Sequence, residues 1–345
     1  MKSPIFAPGA DRRTIALLAA VWIPAALLVY LLAVQPYSSG YLYVRLPILQ
    51  AAAGFWNSPD WEHCGLVPLA SAFILYLEKD RLASLPIRPS AGGLLVAALG
   101  FLLYWAGYRV DNVYFGYASI QILLAGMILT ILGWKFMGAL FFPWVFLTFM
   151  WPVLFLENYL AFPLRLIMSE ASVTVLNAIG IPAIKSGTAI LSASESVGGI
   201  AARPAGALFS VDVANPCSGI RSLFALMMVS ALYGYFTLAS GWKRLALFFC
   251  AAPLAILGNL FRILMLTIGT LAFGADFAIG QGLEKPSTFH LAAGFVVFAV
   301  ALAGMVGIHQ LLEWNPRKRK TVEPPSEKPA AEILDAKRGN QEDEY

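Results

Sequence analysis

Apolar stretches of roughly 17 to 25 residues recur along the whole chain, and each is long enough to cross the hydrocarbon core of a bilayer as a helix. The spanning candidates run over 14–35, 62–78, 92–108, 115–134, 138–157, 218–239, 245–270 and 289–312. The expected fold is an all-α polytopic membrane protein with about eight transmembrane helices and a short extracytoplasmic segment between helices five and six. The candidates at 62–78 and 92–108 are short, so the count is open by one. Composition agrees: 59% of residues are hydrophobic and 13% charged, with a mean hydropathy of +0.71. A soluble domain of this size covers its surface with far more charge.

The charges sort by loop. With a cytoplasmic N-terminus, the inside set holds Lys2, Arg12, Arg13, Lys79, Arg81, Arg88, Lys135, Lys243, Arg244, the basic block 317–320, Lys328, Lys337 and Arg338. The outside set is Arg45, Arg109, Arg165, Lys185, Arg203 and Lys285. Every inside loop between helices is then basic, as the positive-inside rule requires, and both termini are cytoplasmic. A net charge of +4, spread in this way, argues against nucleic acid as a partner. The first apolar run follows Arg12 and Arg13 and shows no small-residue cleavage pattern before Gln35-Pro36-Tyr37, so it is expected to remain as an anchor in the cytoplasmic (inner) membrane.

The resulting division is a cytoplasmic N-terminus at 1–13, a membrane-embedded domain at 14–312 and a disordered, charged, proline-bearing cytoplasmic tail at 313–345. Outside, residues 46–55 suit an interfacial helix ending at Trp56 and Trp61. The larger loop, 158–217, opens with helical spacing over 160–179, expected to lie along the membrane surface. Its Gly-, Ser- and Ala-rich second half, with alternating runs at 188–191 and 208–213, suits a small hairpin or flap.

Three chemistry-bearing residues converge on this outer side. Cys217 lies in the run Asn215-Pro216-Cys217-Ser218-Gly219-Ile220-Arg221 at the mouth of the sixth candidate, Arg262 lies in the seventh and His290 begins the eighth. Arg262 sits about eight residues, roughly 12 Å, below the outer helix end, and an extended side chain recovers part of that depth. Polar groups in lipid are costly enough that function is the default reading. A thiol at a helix N-terminus beside Arg221 and Arg262 suits a thiolate nucleophile. His290 suits proton transfer, and Arg262 suits the thiolate, an oxyanion or a substrate carboxylate, with Asn259 one turn away on the same face.

The residues alone leave other readings open. Cys217 can pair with Cys64 in a disulfide, or His63, Cys64, Cys217 and His290 can hold a metal, although no tight ligand spacing is present. Arg262 can pair with a carbonyl or with Glu157. Cys250 reads as a packed core residue, His309 as interfacial, and His63 as either an interface anchor or site support. No cofactor and no metal are expected. A transporter or an envelope polysaccharide export component is the competing function; it would use Arg262 and His290 but not Cys217.

The runs Cys217-Ser218-Gly219-Ile220-Arg221-Ser222-Leu223, Asn259-Leu260-Phe261-Arg262 and His290-Leu291-Ala292-Ala293-Gly294 resemble the signature of the exosortase/archaeosortase family of membrane transpeptidases. Upstream, His63-Cys64-Gly65-Leu66-Val67-Pro68-Leu69 and Phe162-Pro163-Leu164-Arg165 extend the likeness, which covers most of 55–300. The resemblance implies a cysteine protease or transpeptidase that cleaves C-terminal sorting signals of exported proteins at the outer face of the cytoplasmic membrane. Such PEP-CTERM-like signals carry a motif such as Pro-Glu-Pro, a hydrophobic helix and a basic tail. It also implies a thioester on Cys217, transfer to an acceptor that no motif here identifies, and catalytic roles for Arg262 and His290; from the residues themselves, Arg221, Asn259, Ser218 and His63 are expected in support. Membrane lipids are the remaining expected partner. Two departures stand out: Cys64 is inserted between the family's His and Gly, and Asn215-Pro216 precedes the cysteine where a small or acidic residue is usual.

Overall fold

The computed structural model describes residues 12–39, 44–58, 61–197, 200–212, 220–280 and 287–314. Its helices are α1 (Arg12–Ala33), α2 (Ile48–Trp56), α3 (Val67–Leu77), α4 (Lys79–Ala83), α5 (Gly92–Arg109), α6 (Val113–Ile131), α7 (Trp134–Phe146), α8 (Leu154–Ala178), α9 (Ile220–Thr237), α10 (Gly241–Phe273), α11 (Ala275–Ala278) and α12 (Thr288–Glu313). Short strands β1 (Pro36–Ser38) and β2 (Leu46–Pro47) pair after α1. Five more, β3 (Ala183–Ser186), β4 (Ala189–Ser192), β5 (Glu195–Val197), β6 (Ile200–Arg203) and β7 (Ser210–Asp212), lie between α8 and α9. Residues up to Met305 form one compact unit; 306–314, the last turns of α12, are the described part of a second.

Among the described residues six helices are long and apolar enough to cross a membrane: α5, α6, the 159–178 stretch of α8, α9, α10 and α12. The stretches Val21–Ala33, Glu62–Leu77 and Trp134–Met150 are apolar but shorter. The fold class is therefore the expected one, a helical multi-pass membrane protein. Most bounds shift by up to four residues, and one segment differs more. The fifth candidate, 138–157, is a helix that starts at Trp134 and gives way to a 3₁₀ turn, Leu147–Met150, while Leu154 opens the separate 25-residue α8.

Contacts sort the loops into two ends. At one end Trp56 Nε1 donates to the Met150 carbonyl (3.0 Å), Trp151 stacks on Tyr117 near the start of α6 (4.8 Å), and buried Trp61 meets Phe224 in the second turn of α9 (5.3 Å). At the other end Tyr235 donates to Glu78 (3.1 Å), Arg81 pairs with the same carboxylate (3.0 Å), and Arg244 donates to the Leu238 carbonyl (2.7 Å). Met150 and the start of α9 thus lie at the same end. Between them in the chain, α8 supports the sheet. Met168 and Leu176 of α8 cluster with Ala183, Ile190 and Phe209 from the strand region and with Ile263 of α10. The sheet runs β3-β4-β7, with Ile190 opposite Val211, and β5 pairs with β6, so the expected hairpin is present in an enlarged form.

The first end is fastened by a polar knot. Asp111 adopts a left-handed φ of 53°, and its carboxylate accepts from the Ser39 amide (2.9 Å) and the Ser39 hydroxyl, with Arg45 Nε at 3.9 Å. Those Ser39 hydrogen bonds, ahead of Arg45, hold the Asp111 carboxyl below its usual value. Asn112 then caps α6 by accepting from the Tyr114 amide (2.9 Å).

Small residues bring helices close, which is how packing proceeds where lipid removes any hydrophobic preference between helices. Glycines 93, 100 and 107 recur every seven residues on one face of α5 and meet Thr130, Leu123 and Phe115 of α6. A Cβ at Gly126 would lie 2.6 Å from the Ala97 amide nitrogen, with backbone on the far side that cannot yield. Gly126→Val is therefore expected to cost about 1–3 kcal/mol of stability through overpacking, measured as unfolding in detergent. Gly138→Val, where nothing lies within 4 Å of the added carbon, serves as the unperturbed comparison.

Candidate active site

A cavity of about 350 Å³ opens between α9, α10 and α12. Arg221 and Ser222 of α9, Asn259 and Arg262 of α10, His290 of α12 and Glu62 line its polar part. Leu226, Ala255, Gly258, Val297, Phe298 and Ala301 continue it as an apolar slot along the helices. A second cavity of about 250 Å³, between α1, α5 and α6, is apolar apart from Thr130 and holds no group that does chemistry.

Two helix starts and one long helix set the geometry. Eleven residues separate Arg262 from the end of α10, about 17 Å of rise, deeper than the sequence-based estimate. The contact with His290 forms nonetheless, because α12 begins below the end of α10: Phe289 packs where a Cβ on Gly269 would stand, at 2.8 Å. Ser287 fixes that start. Its hydroxyl accepts from the His290 amide (3.0 Å), as a helix cap does, and donates to the Ala278 carbonyl of α11 (3.0 Å). Gly274, at φ 88°, makes the turn from α10 into α11 that brings this carbonyl within reach.

Arg262 Nη2 lies 2.7 Å from His290 Nε2. A guanidinium has donors only, so Nε2 is the acceptor and the imidazole carries its proton on Nδ1. Nδ1 is buried without a hydrogen-bond partner among the described residues. The guanidinium also rests beside Gly294, whose absent Cβ would stand 3.9 Å from it, and Gly258 lets Val297 approach one turn below. Asn259, 3% exposed, faces the cavity one turn from Arg262.

Of the residues singled out in the sequence, Arg262, His290, Arg221 and Asn259 thus share one cavity. Cys217 and Ser218 lie outside the described residues. His63 does not line the cavity with them: it follows Glu62 in the 3₁₀ turn Glu62–Leu66 and its ring stacks on Trp61, centroids 6.1 Å apart. Glu62 is the lining residue that sequence reasoning passed over; its signal was only a place beside Trp61 at the outer start of a helix. Cys64 is a buried free thiol, which gives no support to the disulfide alternative. Cys250 is also free. Among the described residues no three His, Cys, Asp or Glu side chains gather as metal ligands.

A guanidinium in contact with an imidazole, on a cavity between three apolar helices, gives this helical membrane protein a polar site in otherwise apolar surroundings. The chain belongs to the transmembrane exosortase family (Exosortase_EpsH), which it matches over residues 55–307, well over half its 345 residues. Its function is accordingly of the membrane exosortase type. No curated protein and no solved structure matches it.

The tautomer is directly measurable. ¹⁵N NMR of labelled imidazole is expected to show the His290 Nε2 unprotonated and Nδ1 protonated at neutral pH. Arg262→Gln should change the Nε2 signal most among the three histidines.

Proposed function

We propose that this protein is a membrane cysteine transpeptidase in which Cys217 is the nucleophile and Arg262 and His290 are its partners. The observation that carries the reading is the Arg262–His290 contact of 2.7 Å on a cavity that Arg221 also lines. Cys217 precedes Ile220, the first residue of α9, by three residues, and three residues of chain reach at most about 11 Å. In the sequence it lies four and five residues before Arg221 and Ser222, which line the cavity.

One nitrogen cannot accept both the guanidinium N–H and the thiol proton. In the resting site Arg262 holds Nε2. When a substrate carbonyl enters, its oxygen competes for the guanidinium, because a developing oxyanion accepts a charge-assisted hydrogen bond more strongly than a neutral imidazole does. Nε2 is then released to take the Cys217 proton, the thiolate attacks, and the imidazolium returns that proton to the leaving amine. The products are a thioester on Cys217 and a freed C-terminal fragment. Asn259 and Arg221 hold Arg262 and the thiolate side of the cavity in place.

The substrates we infer are exported proteins that end in a motif such as Pro-Glu-Pro, an apolar helix and a basic cytoplasmic tail, processed at the outer face of the cytoplasmic membrane. Eight crossings with both termini inside suit this reading, because the loops that meet at the Arg262 end are those poor in Lys and Arg. The apolar slot below the polar cavity gives a substrate helix or a lipid chain a surface to lie against.

Cys217→Ser in the native host is expected to leave such C-terminal tails uncleaved, as seen by the size of the exported proteins; normal processing in that mutant contradicts the reading. Arg262→Lys keeps the charge but loses the planar fork, and should slow cleavage about 100-fold, the scale of losing an oxyanion donor.

A further inference from the structure

The apolar cavity of about 250 Å³ between α1, α5 and α6 is open along its side. Ile23 and Leu27 of α1, Leu94 and Phe101 of α5, and Leu123 and Ile131 of α6 help to line it, and the first four of these are exposed side chains. On a membrane-spanning helix such side chains meet lipid tails, which are as apolar as they are. The groove begins at Leu94 and Ile131, in the first turn of α5 and at the last residue of α6, and ends near mid-helix at Phe101 and Leu123. Those spacings of seven and eight residues give it a run of roughly 12 Å. One leaflet of hydrocarbon is about 15 Å deep, so the groove takes a chain from one leaflet only.

Two cations stand at the mouth of this groove. The Arg88 amide donates to the Leu132 carbonyl (3.1 Å), one residue beyond Ile131. The Arg88 carbonyl closes on Gly133, whose φ of 87° and missing Cβ allow the approach. Lys135 follows two residues later, in the first turn of α7. Both side chains are exposed, and neither enters a hydrogen bond or an ion pair among the described residues. Trp134, also exposed, comes within 4.0 Å of the place a Cβ on Gly92 would take, and an indole there suits the headgroup level. An apolar groove one leaflet deep that ends in two unpaired cations has the shape and the charge of a lipid with a net negative headgroup. A zwitterionic lipid would bring its own cation to the same corner. We propose that this groove is a binding site for an anionic phospholipid, with one acyl chain between α1, α5 and α6 and the phosphate on Arg88 and Lys135. The bound lipid covers the open side of the groove and ties α1 to the α5–α6 pair. The site is independent of the chemistry at Cys217.

The test uses the full-length protein in phosphatidylcholine nanodiscs that hold a trace of one photoreactive lipid, either phosphatidylglycerol or phosphatidylcholine, with the same diazirine midway along one acyl chain. After irradiation, mass spectrometry locates and counts the labelled residues. Phosphatidylglycerol is expected to label the groove, at residues such as Leu27 and Phe101, about 30-fold more than phosphatidylcholine does, the scale of two basic residues at a lipid headgroup. Arg88→Gln combined with Lys135→Gln removes that preference and leaves labelling of α10 and α12 as in the wild type. Both replaced side chains are exposed, so the change leaves the packing intact. Leu27→Trp, which fills the groove and keeps both cations, removes labelling at Phe101. Equal labelling of the groove by the two lipids, a preference that survives the double replacement, or one spread evenly over all the lipid-facing helices overturns the site.

Discussion

A guanidinium held deep between apolar helices is the constraint around which the rest of this site is arranged. Arg262 stands about 17 Å below the end of α10, where a charge without partners is expensive. Its contact with His290 Nε2 gives it one acceptor, and it lines a cavity that Asn259 and Arg221 also line. The neighbouring helices are shaped to admit it. Gly294 leaves room for the guanidinium, Gly258 lets α12 approach one turn below, and Ser287 starts α12 low enough for His290 to meet it.

The same arrangement explains why the contact is suited to switching. The two groups are joined by a hydrogen bond whose acceptor is a neutral nitrogen, so a better acceptor displaces it readily. A carbonyl that becomes an oxyanion is such an acceptor. On the proposed function, this contact occupies His290 at rest and yields when substrate arrives.

Much of this was legible in the sequence because lipid penalises idle polar groups. Arg262, His290 and Asn259 stand out in otherwise apolar runs, and the structure brings all three to one cavity. The apolar runs also fix where the helices fall. The extent of α8 was not legible: Pro163, Arg165 and Glu170 interrupt the apolar pattern, so 154–157 reads as the end of the preceding span, whereas packing against the sheet and Ile263 sustains one continuous helix. Glu62 was missed because a 3₁₀ turn has neither the helical nor the strand period that a pattern search detects. The relative heights of α10 and α12 are set by Gly269, Gly274 and Ser287, contacts between segments that hydropathy does not register.

The central claim is that Cys217 shares its site with Arg262, and the reactivity of the thiol tests it most directly. In protein whose Cys64 and Cys250 are replaced by Ser and Ala, the rate of Cys217 alkylation by a small neutral reagent reports the thiolate fraction. The account predicts that Arg262→Gln slows this alkylation at least about tenfold at neutral pH, the effect of removing a nearby cation from a partly buried anion. Equal rates in the two proteins would contradict it.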